Sequence, residues 1–178
     1  MSWSDWPARD LPDRAEALPK HIGDFDCGQP ALNHFIREMA LFNQQSGISR
    51  TTYCHPAADS DTVAGYYTLA LNVVPHDELP GRVRRRLTPQ PMQACVLLGR
   101  LAVDNRFKGQ GLGGRLMALA MADAVTINEK AGGPVLAVRP IDEAAVRFYE
   151  HYGFTGVPDA GHMFLRMSTA KKLLGVSK

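Results

Sequence analysis

The stretch VDNRFKGQGLGGRL, residues 103–116, carries two overlapping glycine patterns that both predict a bound phosphate. Gly109, Gly111 and Gly114 have the G-x-G-x-x-G spacing of a dinucleotide-binding turn. Arg106, Gly109 and Gly111 form a second pattern, R-x-x-G-x-G. A glycine lets the backbone approach a phosphate because no Cβ intervenes, and a helix N-terminus adds unpaired N–H groups and a favourable dipole. The stretch therefore predicts a phosphate-bearing ligand whose identity depends on the surrounding elements.

A nicotinamide dinucleotide is one such ligand. Its fingerprint is normally followed, about 20 residues later, by an acidic residue that binds the ribose. Here the next expected strand ends in Arg139-Pro140, and an arginine is compatible with the 2′-phosphate of NADP. However, about 100 residues of hairpin-forming sequence precede the stretch, and too little chain follows for a doubly wound sheet. A P-loop is excluded because no Gly-Lys-Ser/Thr follows.

Upstream of the glycine stretch, the sequence predicts helix followed by three strands. Pro30 occupies a favourable first-turn position, and residues 29–45 predict one long or two short amphipathic helices. The apolar residues at helical spacing in this segment are Leu32, Phe35, Ile36, Met39 and Phe42. Residues 49–55 and 62–74 predict an antiparallel hairpin joined through a turn at 59–61. A further strand is expected at 92–104, with Gly99 as a bulge or bend.

Downstream, helices and strands alternate. An Ala/Leu/Met-rich helix is expected over 111–131, and the apolar run VLAV at 135–138 is typical of a buried parallel strand. Asp142 is expected to cap a helix that runs to about His151 and stops at Gly153. FTGV and HMFLRMS finish as strands. Early strands and a late βαβα unit together predict a mixed α/β sheet.

A second signature, FYEHYGF, lies about 40 residues after the glycine stretch and on the next helix. It reads Phe148-Tyr149-x-x-x-Gly153-Phe154. Paired with R-x-x-G-x-G at the start of a helix, it resembles the GNAT family of acetyl-CoA-dependent N-acetyltransferases over nearly the whole chain. The resemblance implies a single domain over residues 1–178 with the α/β GNAT fold. In that fold, a mixed, mostly antiparallel central sheet splays at the acetyl-CoA site and is flanked by helices.

The resemblance also implies the roles of individual residues. Pantetheine is expected to pair with the strand 101–103, whose amides are candidate oxyanion donors. Tyr149 matches the family tyrosine that protonates the departing thiolate, and the ordinary pKa values of a phenol and a thiol, about 10 and 8.5, make that transfer nearly balanced. The alternative is that Tyr149 is a core aromatic. The residues expected to bind acetyl-CoA are Leu101, Ala102, Val103, Arg106, Lys108, Gly109, Gln110, Gly111, Leu112, Gly113, Gly114 and Phe148.

No strong general base stands out in the sequence. Asp104 and Glu143 lie near the motifs, but each is equally explained as a cap or a solvated charge. An α-amine, with an ordinary pKa near 7.7–8.0, needs little help from a base, whereas lysine at about 10.4 does. The six histidines show no metal spacing, so no metal is assigned; His151 fits a favourable contact with a helix C-terminus.

Three stretches further resemble the TacT/AtaT-type acetyltransferase toxins of type II toxin–antitoxin systems: FDCGQPALNHFI, ALFNQQSGISRTTY and LGRLAVDNRFKGQGLGGRLM. Members acetylate the α-amine of aminoacyl-tRNA, block translation, generally dimerise and are neutralised by a ribbon-helix-helix antitoxin. The chain departs from relatives at Gly113-Gly114, where a larger second residue is common, which loosens the helix start. Still open are a housekeeping acetyltransferase for a small amine, peptide or antibiotic, and a non-catalytic acyl-CoA-binding module.

Charge and composition agree with an RNA acceptor. The net charge is only +2, but residues 82–115 carry eight Lys/Arg against Asp104 alone. We expect the cluster Arg82, Arg84, Arg85 and Arg86 to contact tRNA phosphates, although a solvated turn explains it equally well. The first 14 residues are polar and lack the apolar run of a signal peptide, and no apolar run is long enough to span a bilayer. Three scattered cysteines predict neither disulfides nor zinc, so a cytoplasmic location is expected.

Overall fold

The computed structural model describes residues 6–156 and 161–176. Seven strands form a mixed sheet in the order β1-β2-β3-β4-β5-β7-β6, in which β4 and β5 are parallel and the pairs β1/β2, β2/β3, β5/β7 and β6/β7 are antiparallel. The strands are β1 Ala8–Asp10, β2 Arg50–Cys54, β3 Gly65–Pro75, β4 Met92–Val103, β5 Val135–Val138, β6 Thr155–Gly156 and β7 Met163–Arg166. The α-helices are α1 Pro30–His34, α2 Ala40–Gln45, α3 Gly81–Arg84, α4 Leu112–Ala131, α5 Glu143–His151 and α6 Met167–Leu173.

The chain divides into two compact units. The first unit comprises the described residues of 1–70 together with 100–120, and the second comprises 71–99 together with the described residues from 121 onward. Strands β3 and β4 and helix α4 contribute residues to both units. The single-domain expectation stays a prediction.

The core of the first unit is built around Tyr66 of β3. This ring contacts Phe25 edge-on at 5.4 Å and stacks with Phe35 at 6.1 Å between centroids, and its hydroxyl donates to the carbonyl of Leu32 at 2.8 Å. The Arg100 guanidinium carbon lies over the Phe35 ring, 3.7 Å from its centroid. Residues from the helical segment, the hairpin and the end of β4 are therefore fixed to one another.

The helical segment after Pro30 confirms the expected helix but not its burial. It runs as α1, a π-helical turn at Phe35–Met39, and α2. Phe35 and Ile36 are buried, whereas Met39 and Phe42 are exposed. The extra residue of a π-turn shifts the register of the helix, so a stripe drawn at ordinary α-helical spacing overstates the buried face.

The second unit packs β5 and β7 around a separate core. Val135 and Ala137 of β5 and Phe164 of β7 are buried with Val83 and Cys95. Helix α5 is capped by Asp142, whose carboxylate accepts from the Ala145 amide at 2.7 Å. Gly153 follows α5 with a φ of +83°, a backbone conformation that L side chains rarely adopt.

Most sequence-based element predictions are confirmed. The hairpin β2/β3, strand β4, helix α4, parallel strand β5 and helix α5 all lie where expected. The expected strand HMFLRMS is only partly correct, because β7 ends at Arg166 and α6 begins at Met167. Strand β1 was not predicted. Val157, in the expected strand FTGV, lies outside the described residues.

No helix in the described part of the chain is long and apolar enough to cross a membrane. Within residues 6–156 and 161–176, no group of three or more His, Cys, Asp or Glu side chains is arranged to hold a metal ion.

Candidate active site

The glycine stretch forms a tight turn at the start of helix α4. After β4, a short 3₁₀ helix spans Asn105–Phe107, and the chain then turns through Gly109 and Gly111 with φ values of +74° and +85°. The amides of Gly114 and Arg115 donate to the Gly111 carbonyl at 3.1 and 3.3 Å, which closes the first turn. Both positive φ values require glycine, and the amides that precede this closed turn belong to a helix N-terminus.

The Asp104 side chain holds the turn in place through hydrogen bonds. Its side chain is 2% exposed and accepts from the Asp26 amide at 3.0 Å and from the Arg106 amide at 2.9 Å. The Arg106 guanidinium adds two bonds, from Nε at 2.8 Å and from Nη2 at 2.9 Å. Burial opposes ionisation of Asp104, but these hydrogen bonds outweigh it and hold the pKa below its usual range. Asp104 is therefore a structural cap with its oxygens fully engaged, not a general base.

Residues 26–28 also hold the turn in place, because two of their carbonyls accept hydrogen bonds from it. The Asn105 amide donates to the Asp26 carbonyl at 2.8 Å, and Lys108 Nζ donates to the Cys27 carbonyl at 2.7 Å. The segment itself is held by the Asp26 carboxylate, which accepts from the Gly28 amide at 2.8 Å and from Asn33 Nδ2 at 2.7 Å. The stretch FDCGQPALNHFI thus supports the glycine turn, a contact that the spacing of motifs did not reveal.

These contacts change what two predicted ligand residues contribute. The side chains of Arg106 and Lys108 are engaged by Asp104 and by the Cys27 carbonyl, so their basic groups hold protein atoms together. Arg115, a third member of the basic span, donates to the Trp6 carbonyl at 2.6 Å. Any contribution of residues 106–114 to phosphate binding therefore falls chiefly to the backbone.

The strand before the turn runs past its parallel neighbour. Strand β5 ends at Val138, opposite Leu98, while β4 continues to Val103. Leu101 and Val103 are half-buried and Ala102 is buried. Residues 101–103 thus extend beyond the end of β5, as expected of a sheet that splays at this strand. Nearby, a Cβ on Gly65 would lie 2.9 Å from the Ala102 carbonyl oxygen, so only glycine fits there.

Tyr149 lies on helix α5 and is buried. The residue is 9% exposed, and its ring contacts Phe148 and Phe154, each at 5.4 Å between centroids. Among the residues that the structure describes, its hydroxyl has no hydrogen-bond partner. Tyr66 is comparably buried, yet its hydroxyl is bonded to a carbonyl. Core packing therefore explains the ring of Tyr149 and leaves its hydroxyl available to a ligand.

Burial raises the pKa of Tyr149 to about 12. The phenol therefore stays protonated at physiological pH, as a proton donor must. However, its pKa lies well above the 8.5 or so of an ordinary thiol, so the expected near balance between the two groups is wrong for this tyrosine. While the ring stays buried, proton transfer to a thiolate is uphill and therefore requires a nearly complete negative charge on sulfur.

The structure places the remaining charged residues singled out in the sequence in different environments. Glu143 is a solvated charge, since its side chain is 89% exposed and lies 3.7 Å from Arg147. His151 is the last residue of α5, as expected for a contact with the helix dipole. The arginine cluster 82–86 is exposed at Arg82, Arg84, Arg85 and Arg86, and in the described residues none of the four forms an ion pair.

A glycine turn thus opens the helix after β4, and a buried tyrosine lies on the following helix. The sequence profile of the acetyltransferase (GNAT) domain matches residues 52–156. The chain therefore belongs to the GNAT family of acetyltransferases and is an enzyme of that family.

The chain is similar to several proteins named as toxins. A "tRNA-acetylating toxin" of Mycobacterium tuberculosis is 36% identical over 166 residues, which cover 89% of this chain and 97% of the relative. Among solved structures, AtaT complexed with acetyl-methionyl-tRNAfMet matches with a TM-score of 0.84 and 28% identity, covering 95% of this chain and 99% of AtaT. A tyrosine-to-phenylalanine variant of AtaT, bound to acetyl-CoA and the C-terminus of the antitoxin AtaR, matches with a TM-score of 0.77 and 26% identity, covering 96% and 99%.

Proposed function

We propose that this protein is a toxin that transfers the acetyl group of acetyl-CoA to the α-amine of aminoacyl-tRNA. The observation that carries the proposal is its likeness, over nearly the full length of both chains, to AtaT solved with an acetylated aminoacyl-tRNA. The Mycobacterium tuberculosis relative, named for tRNA acetylation, supports the same acceptor. An acetylated α-amine cannot form a peptide bond, so the reaction blocks translation.

The donor binds at the glycine turn. The amides of residues 109–113 hold the pyrophosphate of acetyl-CoA, because the turn at Gly109 and Gly111 and the start of α4 present N–H groups without intervening side chains. The Gly114 amide is already bonded to the Gly111 carbonyl. Residues 101–103 supply the strand edge that pairs with pantetheine. Arg106, Lys108 and Gln110 fix the turn: Gln110 Nε2 adds a 3.4 Å bond to the Arg106 carbonyl. Phe148 lines the thioester end of the donor.

Transfer needs an amine nucleophile, a stabilised oxyanion and a proton for sulfur. The neutral α-amine attacks the thioester carbonyl, and the amides of residues 101–103 stabilise the oxyanion that forms. The C–S bond then breaks, and the Tyr149 hydroxyl serves as general acid to the thiolate. The attacking nitrogen loses one proton to solvent as the amide forms, and a solvent proton restores the Tyr149 phenol. Because burial raises the pKa of Tyr149 to about 12, its proton moves only once the C–S bond is largely broken.

The acceptor amine enters neutral, without a dedicated base. Asp104 is closed off by its four hydrogen bonds, and Glu143 is exposed on the surface of α5. An α-amine of pKa near 7.7–8.0 is already partly deprotonated at neutral pH. This chemistry favours an aminoacyl ester over the side chain of lysine.

The same proposal extends to partners and place of action. A ribbon-helix-helix antitoxin neutralises the toxin, and the active protein is a homodimer in the cytoplasm, where charged tRNA is found. The AtaT structure with the C-terminus of AtaR supports an antitoxin partner.

The test is acetyl transfer combined with growth. Purified protein is incubated with labelled acetyl-CoA and total aminoacylated tRNA, with deacylated tRNA as the control. We expect label on charged tRNA alone and growth arrest on expression of the wild type but not of Tyr149→Phe. Label on small amines or peptides, with none on charged tRNA and normal growth, would instead establish a housekeeping acetyltransferase.

A further inference from the structure

A groove on the second unit brings together basic residues from two separate parts of the chain. Its basic lining comes from α3 and the turn that follows it, and from the last residue of β7: Arg82, Arg85, Arg86 and Arg166. We call this the arginine groove. It encloses about 560 Å³, and Gly153, Thr155 and Thr169 complete its polar rim. Arg84, from the same sequence cluster, does not line it.

The charge of the groove is uncompensated. In the part of the chain that the structure describes, no carboxylate lines it and none of its four arginines forms an ion pair. Four arginines that line one groove without acidic partners repel one another, so the arrangement favours a bound polyanion. Arginine adds planar, bidentate donors that match phosphate oxygens, and the threonine hydroxyls add single donors.

The floor of the groove is part of a packed core. It is formed by Val83 and Phe164, both buried in the core of the second unit. The four arginines therefore project from a fixed surface, although three of them belong to or follow a helix of only four residues, Gly81–Arg84. Arginine side chains on such a surface contact the phosphates of an RNA backbone and do not distinguish its bases.

The groove also adjoins the chain around the tyrosine. Gly153 lines it, and the next residue, Phe154, packs on the Tyr149 ring at 5.4 Å. An RNA backbone held in the groove is thus held by the same part of the second unit that carries Tyr149. Aminoacyl-tRNA, which carries its phosphates and its reactive amine in one molecule, fits a groove close in the chain to Tyr149.

We propose that the arginine groove binds a backbone phosphate of the acceptor RNA and that Arg166 is one of its ligands. This inference rests on the proposed function. It adds Arg166, from a distant part of the sequence, to the arginines expected to contact tRNA. It also excludes Arg84 from the residues that line the groove. An acidic protein segment is the competing occupant, and the experiment distinguishes the two.

The experiment measures tRNA affinity against salt for four variants of the full chain. They are Arg166→Gln, the double variant Arg82→Gln/Arg85→Gln, Arg84→Gln, and Lys172→Gln as the matched control. Lys172 is exposed on α6, the helix that carries Thr169, but does not line the groove. Deacylated total tRNA is the binding probe, from about 50 to 200 mM salt. Thermal melting verifies folding, and because Arg82 and Arg85 are exposed, the double variant keeps the test valid if Arg166→Gln fails to fold.

The expected result is a loss of tRNA affinity of about tenfold for Arg166→Gln, and more for the double variant. The slope of log affinity against log salt should become shallower by about one for each phosphate that is no longer neutralised. Arg84→Gln should lose less affinity, Lys172→Gln should match the wild type, and acetyl-CoA affinity should stay constant throughout.

Three outcomes would overturn the inference. If the groove variants bind tRNA as the wild type does while the wild type acetylates charged tRNA, the groove assignment is wrong and the proposed function stands. If the wild type neither binds nor acetylates tRNA, both fail. If the groove variants lose binding of a poly-glutamate peptide but keep tRNA binding, the groove belongs to an acidic protein partner.

Discussion

Lys108 and Cys27 are joined by a 2.7 Å hydrogen bond from the side-chain ammonium of the first to the backbone carbonyl of the second. The bond ties the glycine turn to a segment 81 residues earlier in the chain. Beside it, the Asn105 amide donates to the Asp26 carbonyl at 2.8 Å. The position of the amides proposed to bind phosphate therefore depends on the segment 26–28 as well as on the glycines themselves.

Replacing Lys108 by methionine should weaken acetyl-CoA binding without slowing the chemical step. The aliphatic stem is kept, but the Cys27 carbonyl loses its donor, and the turn gains freedom that a bound donor must remove. A hydrogen bond to a charged group contributes about 1.5–3 kcal/mol at most, so KM for acetyl-CoA should rise about tenfold with little change in kcat.

The control for this prediction is Lys20→Met. It removes only an exposed ion pair to Asp61, of 2.9 Å, in the same unit. Steady-state kinetics on both variants decides: equal KM values for the two would mean that the Lys108 bond does not position the turn.

Replacing Asp104 by asparagine should destabilise the first unit by about 2–3 kcal/mol at pH 7, since a buried carboxylate with charge-assisted bonds is replaced by an amide that presents N–H groups to donors. The folded pKa of Asp104 lies below its unfolded value near 3.9. Its contribution is therefore present above about pH 4 and is lost as pH falls through the folded pKa.

Urea unfolding at pH 7 and near pH 3 measures both effects. The gap in unfolding free energy between wild type and Asp104→Asn should narrow in acid. A constant gap across this range would show that ionisation of Asp104 does not stabilise the fold.

Replacing Gly111 by aspartate should abolish acetyl-CoA binding. The substitution places a Cβ and a negative charge where the pyrophosphate is expected, and it strains a residue with a φ of +85°. Gly47→Asp is the matched control, because Gly47 has a φ of +68° and open space around it. Calorimetry should show lost affinity for Gly111→Asp alone. Equal affinity in the two variants, or tighter binding of NADP than of CoA to the wild type, would contradict the assignment of the turn.

Replacing Tyr149 by phenylalanine should lower kcat while folding and acetyl-CoA affinity stay unchanged. The ring and its contacts with Phe148 and Phe154 are kept, and only an unbonded hydroxyl is removed. General acid catalysis contributes about 10²–10⁴-fold, and the raised pKa of Tyr149 places the expected loss near the lower limit. Tyr152→Phe, one turn further along the chain, is the control. A fully active Tyr149→Phe would return Tyr149 to a packing role.

The pH profile gives an independent measure of the same tyrosine. With a folded pKa of about 12, raised above its ordinary value near 10, Tyr149 stays protonated, and its burial costs no stability, until the pH exceeds about 10. The profile of kcat should therefore show no decline from tyrosine ionisation between about pH 7 and 9.5. A fall in that range that disappears in Tyr149→Phe would mean that the phenol ionises much earlier.

The sequence predicted local features well and long-range contacts poorly. The glycine turn, the Asp142 cap and the strand VLAV each depend on residues close in sequence, and all three are confirmed. By contrast, the brace of residues 26–28 on the turn and the position of Arg166 beside Arg82 depend on pairs about 80 residues apart, which no periodicity reveals. Helix α6 was missed because its first residues, Met167 and Ser168, continue an apolar strand pattern.

The most direct test of the proposed reaction identifies the acetylated atom. Aminoacylated tRNA is incubated with the protein and acetyl-CoA, digested with nuclease to aminoacyl-adenosine, and analysed by tandem mass spectrometry. We expect N-acetyl-aminoacyl-adenosine with the acetyl group on the α-nitrogen, formed by the wild type and depleted about 100-fold with Tyr149→Phe. Two results would contradict the proposed reaction. One is unmodified aminoacyl-adenosine although the protein has transferred the acetyl group to another amine. The other is an acetyl group on a lysine side chain and not on the α-amine.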